Sequence, residues 1–416
     1  MKFQAPSGTD DVFGDEARRF EALVALFAEL VERAGFGLIV GPMFEDLAVY
    51  ERVGDSTDIV RKEMYDFTDK GGRALALRPD STPSVVRAFV QHRPPAPWKV
   101  WYLNPHFRYD RPQRGRLRQH HSLGVEVLGT PDPDLDAELI GLAWDFLAGV
   151  GFSTGDIALS VNSIGDEVCR PAYRGALLAF LDAHAAELCD DHRERRADNP
   201  MRVLDCKKAE CRSATKDAPL IVEHLCEECR QHFARVQDGL AALAVPYAVD
   251  PRLVRGQDYY TRTAFEVQAR TLSSAQNALG GGGRYDGFVA AMGGPDTPGI
   301  GFGLGVERIL LAAGDLGLFP SGTSELDAFV IDMTGGAEAL RVVAELRSAQ
   351  LSADRSYDSR SMKAQMRAAD RSGARFALIV GREELAAGTV TVKALRGQGD
   401  DETVPVDQLT RLIKGK

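Results

Sequence analysis

The chain has 416 residues, which is enough for two or three domains. Its composition, 44% hydrophobic and 26% charged, is ordinary for a globular protein, and its formal net charge of -10 argues against a general nucleic-acid binder. The sequence has no apolar run near the roughly 18 residues of a membrane span, and its N-terminus lacks the pattern of a secretory signal. We therefore expect a cytoplasmic protein with no membrane partner.

The first part of the chain alternates predicted helices and strands. Residues 15–34 carry apolar side chains at helical spacing and stop at Gly35. The stretch GLIVGPMFED reads as an apolar strand that Gly41-Pro42 interrupts. Further strands are predicted at 74–79, 98–105 and 156–162, and helices at 84–91 and about 130–150.

The character of the sequence changes twice. Residues 166–245 are polar, helical and cysteine-bearing, and we expect them to form an inserted helical subdomain within a catalytic domain made of 1–165 and 246–318. Residues 319–325 read as a linker. After it, strands alternate with helices, which predicts a small α/β domain over 326–416 with a parallel or mixed sheet.

Positive charge is concentrated in one segment, FRYDRPQRGRLRQHH, which holds five arginines in fifteen residues. The flanking residues alternate as two strands of a hairpin, and this alternation lets Arg108 and Glu126 point into one cavity. Arginine suits phosphate because its planar fork stays charged and makes paired hydrogen bonds. The segment alone leaves an alternative open, a solvated loop that pairs with the surplus carboxylates.

Three other segments also combine arginine with glycine or tyrosine. They are LVRGQDYYTRTAFE with Arg255, LGGGGRYDG with Arg284, and GIGFGLGVERILLA with Arg308. The glycines of the last segment fall at every second residue, which fits a strand passing under a flat ligand and does not fit a dinucleotide-binding turn. Four such segments together favour a phosphate-bearing ligand.

These segments resemble the bacterial histidyl-tRNA synthetases, a family of class II aminoacyl-tRNA synthetases. FRYDRPQRGRLRQHHSLGVEVLG resembles the second class motif, GIGFGLGVERILL the third, and GPMFEDLAVYERVGDSTDIVRKEMYDF the first with its histidyl continuation. LVRGQDYYTRTAFE and LGGGGRYDG resemble the segments peculiar to the histidyl enzymes. The resemblance implies an α+β catalytic domain, an antiparallel sheet flanked by helices, with a helical insertion and a C-terminal α/β anticodon-binding domain.

The same resemblance implies the reaction and the partners. Histidine and ATP, the latter with Mg²⁺, give histidyl-adenylate, and the histidyl group then moves to the 3′ end of the histidine tRNA. It also implies a homodimer with Pro42 at the interface. The alternatives are a non-catalytic, histidine-binding regulatory paralogue of histidine biosynthesis and an RNA-binding module. Retention of the arginines and of the C-terminal domain favours the ligase over both.

For ATP, the resemblance assigns five residues. Arg108 would hold the α-phosphate, Asp110 the adenine amino group, and Arg116 and Arg308 the γ-phosphate end. Arg255 would stabilise the transition state at the α-phosphate. Arg255 and Arg108 are therefore the expected catalytic residues.

For histidine, Asp80 and Thr82 would receive the α-amino group, while Glu126 and Tyr260 would read the imidazole nitrogens. The remaining residues expected at this site are Ser122, Tyr259 and Tyr285. Ser122 departs from the family, which carries glutamine there in most bacterial members. Asp80 and Asp110 replace the usual glutamates, and Gln257 replaces a usual leucine.

Two further patterns lie outside these motifs. The spacings Cys206-x4-Cys211 and Cys226-x2-Cys229, with Cys189-x2-His192 upstream, predict a structural zinc site. We expect Cys206, Cys211, Cys226 and Cys229 as its ligands, with Cys189 as a substitute, and reduced thiols are the alternative. In the C-terminal domain, a cationic helix face that could contact tRNA carries Arg360, Lys363, Arg367 and Arg371.

Overall fold

The computed structural model describes residues 3–52, 62–206, 208–255, 257, 259–272, 277–320, 326–357, 361–396 and 400–415. The chain separates into two compact units, Met1–Ser321 and Gly322–Lys416. Among the described helices, none combines the length and the apolar character that crossing a membrane requires.

The strands of the large unit are β1 Gly37–Leu38, β2 Phe44–Asp46, β3 Tyr65–Thr68, β4 Ala74–Leu77, β5 Trp98–Phe107, β6 Gln119–Leu128, β7 Ile157–Ser163, β8 Ala248–Val249, β9 Thr261–Ala269, β10 Ala278–Arg284 and β11 Gly299–Gly305. Its helices are α1 Gly14–Arg33, α2 Leu47–Glu51, α3 Thr82–His92, α4 Pro133–Val150, α5 Arg170–Ala183, α6 Asp190–Arg195, α7 Ala209–Ala214, α8 Glu227–Ala242, α9 Phe288–Ala291 and α10 Val306–Asp315.

Among the described residues, eight strands form the main sheet of the large unit, in the order β1-β5-β6-β11-β10-β9-β7-β8. The six central strands are antiparallel to their neighbours, and only the short outer strands β1 and β8 pair in parallel. The predicted antiparallel sheet is thus confirmed. The hairpin β5–β6 brings Phe107 opposite Gln119, so the arginine-rich loop leaves the sheet between them.

One face of this sheet is covered by helices. Three phenylalanine side chains are almost fully buried there: Phe27 of α1, Phe146 of α4 and Phe302 of β11. The ring of Phe27 packs edge to face against the other two, with centroid distances of 5.0 Å to Phe146 and 6.3 Å to Phe302. Helix α4 begins where the Asp132 carboxylate accepts the backbone N–H of Asp134, and it ends at Gly151, whose φ of 108° lies in the left-handed region. This apolar layer leaves the opposite face for a site.

The predicted strand GLIVGPMFED is divided between two sheets. Strand β1 joins the edge of the main sheet, whereas β2 pairs with β4 in a separate three-stranded sheet of order β2-β4-β3. Proline cannot donate to a strand ladder, so the change of sheet falls at Gly41-Pro42, the point at which the sequence predicts the interruption.

The second unit has strands β12 Ala328–Asp332, β13 Ala353–Arg355, β14 Phe376–Val380, β15 Thr389–Ala394 and β16 Glu402–Pro405, and helices α11 Ala337–Ser348, α12 Met362–Arg371, α13 Arg382–Ala387 and α14 Val406–Gly415. Its sheet has the order β13-β12-β14-β15-β16. The first three strands are parallel and the last two antiparallel, so the α/β unit with a mixed sheet agrees with the alternation in the sequence.

Candidate active site

A cavity of about 630 Å³ lies on the face of the main sheet opposite the layer of α1 and α4. This volume is within the usual range for ligand pockets. Four arginines from separate parts of the chain line it: Arg108, Arg116, Arg255 and Arg308. Positive charge is therefore gathered at one place in an acidic chain, as an anion of several charges requires.

Two of the five arginines of the basic loop line the cavity. The guanidinium of Arg108 is held by a 2.9 Å hydrogen bond from Nε to the carbonyl of Pro79. Arg116 forms an ion pair with Asp110 and a longer one, 3.4 Å, with Glu63. Both carboxylates line the cavity too, so the cation of Arg116 is paired within the site.

The other three arginines of the loop do not line the cavity. Arg118 donates from Nε to the carbonyl of Asp110 at 3.0 Å and lies over the ring of Tyr109. Arg114 pairs with Asp315 at 2.5 Å, and Arg111 is exposed. The alternative of a solvated loop that pairs with carboxylates therefore describes Arg111 and Arg114, whereas Arg108 and Arg116 face the cavity.

Arg255 and Arg308 are fixed by partners from other segments of the chain. Nη1 of Arg255 lies 3.4 Å from the Glu266 carboxylate, and its guanidinium sits 5.4 Å from the centre of the Tyr260 ring. Arg308 donates to the carbonyl of Gly115 at 2.7 Å. Burial, together with the charges of Arg108 and Arg116, lowers the pKa of Arg308 from its usual value, which reflects the positive field inside the cavity.

Beneath the cavity, the carboxylate of Glu126 is the centre of a buried hydrogen-bond network. It accepts from Thr82 at 2.6 Å, from Tyr285 at 2.5 Å and from Tyr102 at 3.3 Å. Burial raises the pKa of Glu126 to about 8, even though these three donors favour the charged form. Thr82 and Tyr102 line the cavity, so Glu126 lies one hydrogen bond below its surface.

Asp80 lies at the start of α3 and faces the same cavity. One of its oxygens accepts from Gln257 at 2.6 Å and from the Tyr259 hydroxyl at 3.0 Å, and the other accepts the backbone N–H of Ser81 at 2.8 Å. A carboxylate held in this way is positioned to accept from a ligand amine.

The alternating glycines of β11 provide room for side chains of other strands. A Cβ on Gly301 would lie 1.8 Å from Oε2 of Glu126, and one on Gly299 would lie 2.2 Å from the Tyr285 ring. Only the later glycines of this strand, Gly303 and Gly305, line the cavity. The sequence predicted a strand passing under a flat ligand, but half of its glycines accommodate the protein's own network.

Comparisons with known proteins decide the family. A family model described as histidyl-tRNA synthetase matches residues 8–309, and one described as anticodon binding domain matches residues 327–416. The chain belongs to the histidyl-tRNA synthetase family. It is an enzyme, a histidine–tRNA ligase, and the regulatory paralogue is not supported.

Individual relatives match over their full length. Histidine--tRNA ligase of Pelotomaculum thermopropionicum is 45% identical over 99% of this chain and 97% of its own, and that of Moorella thermoacetica is 47% identical over 98% and 96%. The crystal structure of apo S. aureus histidyl-tRNA synthetase superposes with a TM-score of 0.83 at 33% identity, covering 99% of this chain and 100% of the other.

Most of the residues expected for a histidyl-tRNA synthetase lie around this one cavity. Those in its wall are Asp80, Thr82, Arg108, Asp110, Arg116, Ser122, Arg255, Tyr260 and Arg308. Glu126, Tyr259 and Tyr285 are buried behind it and reach it through hydrogen bonds to Thr82 and Asp80. The structure thus gathers residues that are up to 228 positions apart, from Asp80 to Arg308, in one place.

Arg284 does not belong to this set. Its side chain is fully buried and pairs with Asp136 of α4, with Nε 3.1 Å from the carboxylate. It also donates at 3.0 Å to the carbonyls of Thr130 and Asp132. The glycine-arginine pattern indicated a ligand at this position, but Arg284 fastens β10 to the helical layer.

Several lining residues were given no role by the sequence analysis. Glu266 on β9 pairs with Arg255, and Glu307 on α10 accepts the backbone N–H of His121 at 2.9 Å. Tyr102, Glu63 and the two acids just named all face the cavity. The available signal was alternation along β9, which sets Glu266 on the polar face of an otherwise apolar strand.

The cysteines fall into two groups, whereas the sequence prediction placed four of them in one zinc site. One group is Cys189, His192, Cys206 and Cys211, and the other is Asp166, Cys169, Cys226 and Cys229. Cys206 and Cys211 are thus separated from Cys226 and Cys229 because helix α8 returns its first turn to the beginning of α5, not to α7.

The cationic stripe lies on α12 of the second unit. Lys363, Arg367 and Arg371 are exposed, while Gln365 and Ala369 of the same helix are buried. Arg360 lies outside the described residues. The helix therefore presents three cations to solvent from the side opposite its core-facing residues.

Proposed function

We propose that the cavity binds histidine and MgATP side by side and catalyses their condensation to histidyl-adenylate. The observation that carries this proposal is the convergence of four arginines above a polar floor of Asp80, Thr82 and Glu126. The arginines suit a triphosphate, and the floor suits an amino acid with two ring nitrogens.

In the first step, a carboxylate oxygen of histidine attacks the α-phosphorus of ATP. The new bond is C–O–P, the bond to the pyrophosphate oxygen breaks, and pyrophosphate leaves with its electron pair. In the second step, a terminal ribose hydroxyl of the tRNA attacks the histidyl carbonyl carbon and displaces AMP. Negative charge grows on oxygens in both steps, so fixed donors stabilise the transition states.

We assign ATP to the arginine side of the cavity. Arg108 holds the α-phosphate, and Arg116 and Arg308 hold the γ-phosphate end, since all three line the cavity. Asp110 is paired with Arg116 in the structure. When the γ-phosphate, which carries more negative charge than a carboxylate, pairs with Arg116, Asp110 becomes free to accept a hydrogen bond from the adenine amino group. Glu266 and Glu307 also line the cavity, and their carboxylates would supply hard oxygen ligands to the Mg²⁺ of the substrate complex.

Arg255 is the residue to which we assign transition-state stabilisation. It is held by Glu266 and the Tyr260 ring, and a Cβ on Gly281 would lie 2.8 Å from its Nη1. The guanidinium is therefore confined from several sides before any substrate binds. A donor fixed in advance loses little free energy to reorganisation when charge develops on the α-phosphate.

We assign histidine to the floor. Its α-amino group donates to Asp80 and Thr82, and its imidazole lies between Glu126 and Tyr260. The Tyr102 bond to Glu126 is the longest of the three, at 3.3 Å, so it is the bond that an imidazole N–H displaces most readily. Tyr259 and Tyr285 hold Asp80 and Glu126 in place. Ser122 contributes at the cavity wall, where its short side chain reaches a ligand through water.

We propose that the second unit reads the anticodon region of the tRNA. The family model for an anticodon-binding domain covers it, and Lys363, Arg367 and Arg371 offer exposed charge for phosphates. The substrate also suggests a cytoplasmic location, where charged tRNA is used. We propose zinc only as a structural ion, because the cavity wall contains no cysteine among the described residues.

We propose that the active enzyme is a homodimer with Pro42 at its interface. Three apolar side chains near Pro42 are exposed in the single chain: Val40 at 83%, Met43 at 54% and Phe44 at 51%. Such a patch is typical of a surface that a partner covers. Arg78 donates to the carbonyls of Gly41 and Pro42, both at 3.3 Å, and so ties this segment to the residues that precede Asp80.

ATP–pyrophosphate exchange with each of the twenty amino acids, followed by tRNA charging, tests the proposed reaction. We expect exchange with histidine alone and charging of the histidine tRNA. Histidine binding without exchange would contradict the proposal, and exchange with another amino acid would show that Ser122 has changed the pocket.

A further inference from the structure

The cysteine-bearing segment, residues 166–245, holds all six cysteines of the chain as thiols. In the structure they form two separate groups, each with three sulfurs and one other ligand atom, and within each group these atoms lie within 4.8 Å of one another. We call Cys189, His192, Cys206 and Cys211 the tip cluster, and Asp166, Cys169, Cys226 and Cys229 the neck cluster.

The tip cluster joins three short elements. Cys189 and His192 lie at the start of α6, Cys206 follows the short helix Pro200–Asp205, and Cys211 lies in α7. Nδ1 of His192 is 3.3 Å from the sulfur of Cys189 and 3.7 Å from that of Cys211. The sulfur of Cys211 accepts the backbone N–H of Cys189 at 3.2 Å, as the sulfur ligands of structural metal sites do.

The neck cluster lies where the segment leaves and rejoins the main sheet. Asp166 and Cys169 precede α5, and Cys226 and Cys229 occupy the first turn of α8. The sulfurs of Cys169 and Cys229 are 3.9 Å apart, and Oδ1 of Asp166 lies 3.4 Å from the Cys169 sulfur and 3.8 Å from the Cys226 sulfur. These two turns are 60 residues apart in the sequence, and this cluster's side chains and their apolar neighbours bring them together.

The separations match a tetrahedral metal site. Two sulfurs that are each about 2.3 Å from zinc at the tetrahedral angle lie about 3.8 Å apart, and a nitrogen or oxygen ligand lies slightly closer to each sulfur. A disulfide needs about 2.05 Å between sulfurs, so the 3.9 Å between Cys169 and Cys229 is not one. Three soft sulfurs with one imidazole or one carboxylate favour zinc over calcium or magnesium.

The surroundings of the neck cluster provide the outer contacts of a metal site. The second carboxylate oxygen of Asp166 lies 3.4 Å from Arg262 on β9, and Oδ1 accepts the backbone N–H of Val168 at 3.0 Å. The carboxylate is thus oriented toward the sulfurs by groups outside the cluster. Buried thiols that served only for packing would not need a carboxylate directed among them.

We propose that residues 166–245 bind two Zn²⁺ ions, one at the tip cluster through three sulfurs and His192, and one at the neck cluster through three sulfurs and Asp166. The tip ion holds short helices that have little apolar surface of their own. The neck ion fastens the segment's two ends to each other. Both ions are structural, since neither cluster lies in the wall of the cavity.

Metal content of the full chain, purified from zinc-supplemented cells, tests the proposal by elemental mass spectrometry. We expect two zinc ions per chain. The tip variant Cys206→Ser with Cys211→Ser and the neck variant Cys226→Ser with Cys229→Ser should each keep one, and the four-fold variant none. His184→Gln, a histidine of the same segment outside both clusters, should keep two.

Single-ligand variants guard against misfolding of the cysteine variants. His192→Ala and Asp166→Asn leave every thiol in place, and each should lower zinc affinity at its own cluster, measured by competition with a chromogenic chelator. One ion that is lost from both double variants would instead support a single four-cysteine site and overturn the proposal. Absence of zinc, with no uptake on anaerobic reconstitution, would also overturn it.

Discussion

Arg255 comes directly before a glycine and Arg284 directly after four glycines, yet the two have opposite surroundings. The side chain of Arg255 keeps 18% of its surface exposed, inside the cavity, and meets Glu266 at 3.4 Å. That of Arg284 is fully buried and is bound by Asp136 and two backbone carbonyls. Both arginines are paired with a carboxylate, but only Arg255 also faces the cavity.

The difference shows that local sequence does not determine which role an arginine takes. The partner of Arg284 is on α4, 148 residues earlier in the chain, and only the fold brings the two together. A buried guanidinium must be paired, because an unpaired charge in the core is costly. Around Arg255, the polar partners leave one side of the guanidinium open to the cavity.

The largest expected effect is on stability, at Arg284. Replacing it with alanine leaves the Asp136 carboxylate buried without its partner, and we expect a loss of about 3–5 kcal/mol in the free energy of unfolding. Urea denaturation followed by fluorescence measures it. The exposed Arg111→Ala is the matched control and should change stability by less than about 0.5 kcal/mol. Equal stabilities would remove the distinction between the two kinds of arginine.

The next largest effect is on catalysis, at Arg255. Arg255→Ala should lower the rate of histidine-dependent pyrophosphate exchange by about 10²–10³-fold, since one fixed donor to the transition state is lost. Arg255→Lys should recover only part of the rate because an ammonium lacks the planar fork. Thermal stability should change little compared with Arg284→Ala. A variant with an unaltered exchange rate would place the stabilising charge elsewhere.

A smaller effect is expected at Glu126. Glu126→Gln should weaken histidine binding by about 10–100-fold, the range for one hydrogen bond to a charged group. Isothermal titration calorimetry provides the affinity. Binding of adenine nucleotides should be unchanged, because the carboxylate lies on the opposite side of the proposed site.

The pH dependence of histidine binding gives the same residue a second test. Glu126 in the empty enzyme keeps its proton up to about pH 8, whereas free imidazole loses its proton near about pH 6.5. Between these values the two groups share one ionisable proton and can pair as a carboxylate and an imidazolium, which form a charge-assisted hydrogen bond. Below them the two groups hold two ionisable protons, and above them none, so that only the N–H of a neutral imidazole meets the carboxylate. Affinity should therefore peak in that window. In Glu126→Gln the decrease on the alkaline side should vanish.

The smallest effect concerns the second unit. Reversal of Arg367 and Arg371 to glutamate should raise the apparent KM for tRNA by about tenfold and reduce its salt dependence, while histidine activation stays intact. Arg341→Glu, an exposed arginine on α11 of the same unit, is the control. Unchanged tRNA kinetics in the double variant would show that the stripe on α12 is only a solvated face.

Local periodicity predicted the elements that depend on near neighbours. The β5–β6 hairpin, the helix ending before Gly35 and the alternating unit after the linker all follow from spacing and from turn residues. The change of sheet between β1 and β2 did not follow. Strand β1 pairs with β5, about 63 residues later, and such partners leave no local signal.

The site was predictable where a motif carries it and not where the fold assembles it. The arginines and Asp80 lie in recognisable segments. Glu266 and Glu307 lie in two of the same segments, but their roles depend on contacts with Arg255 and with His121 of β6, which the spacing does not show. The cysteine spacings indicated metal-binding chemistry. They could not indicate which cysteine pairs share a site. Folding of the segment places the start of α8, with Cys226 and Cys229, beside Asp166 and Cys169.

Strand β11 limits how this enzyme can vary. Its apolar residues Ile300 and Phe302 are buried in the core. A side chain at Gly299 would displace Tyr285, and a side chain at Gly301 would displace Glu126. Tolerance to mutation therefore increases along the strand. A Cβ at Gly305 would meet nothing closer than 3.6 Å. Substitutions that alter substrate preference, natural or engineered, can therefore be accommodated at Gly305 but not at Gly299 or Gly301.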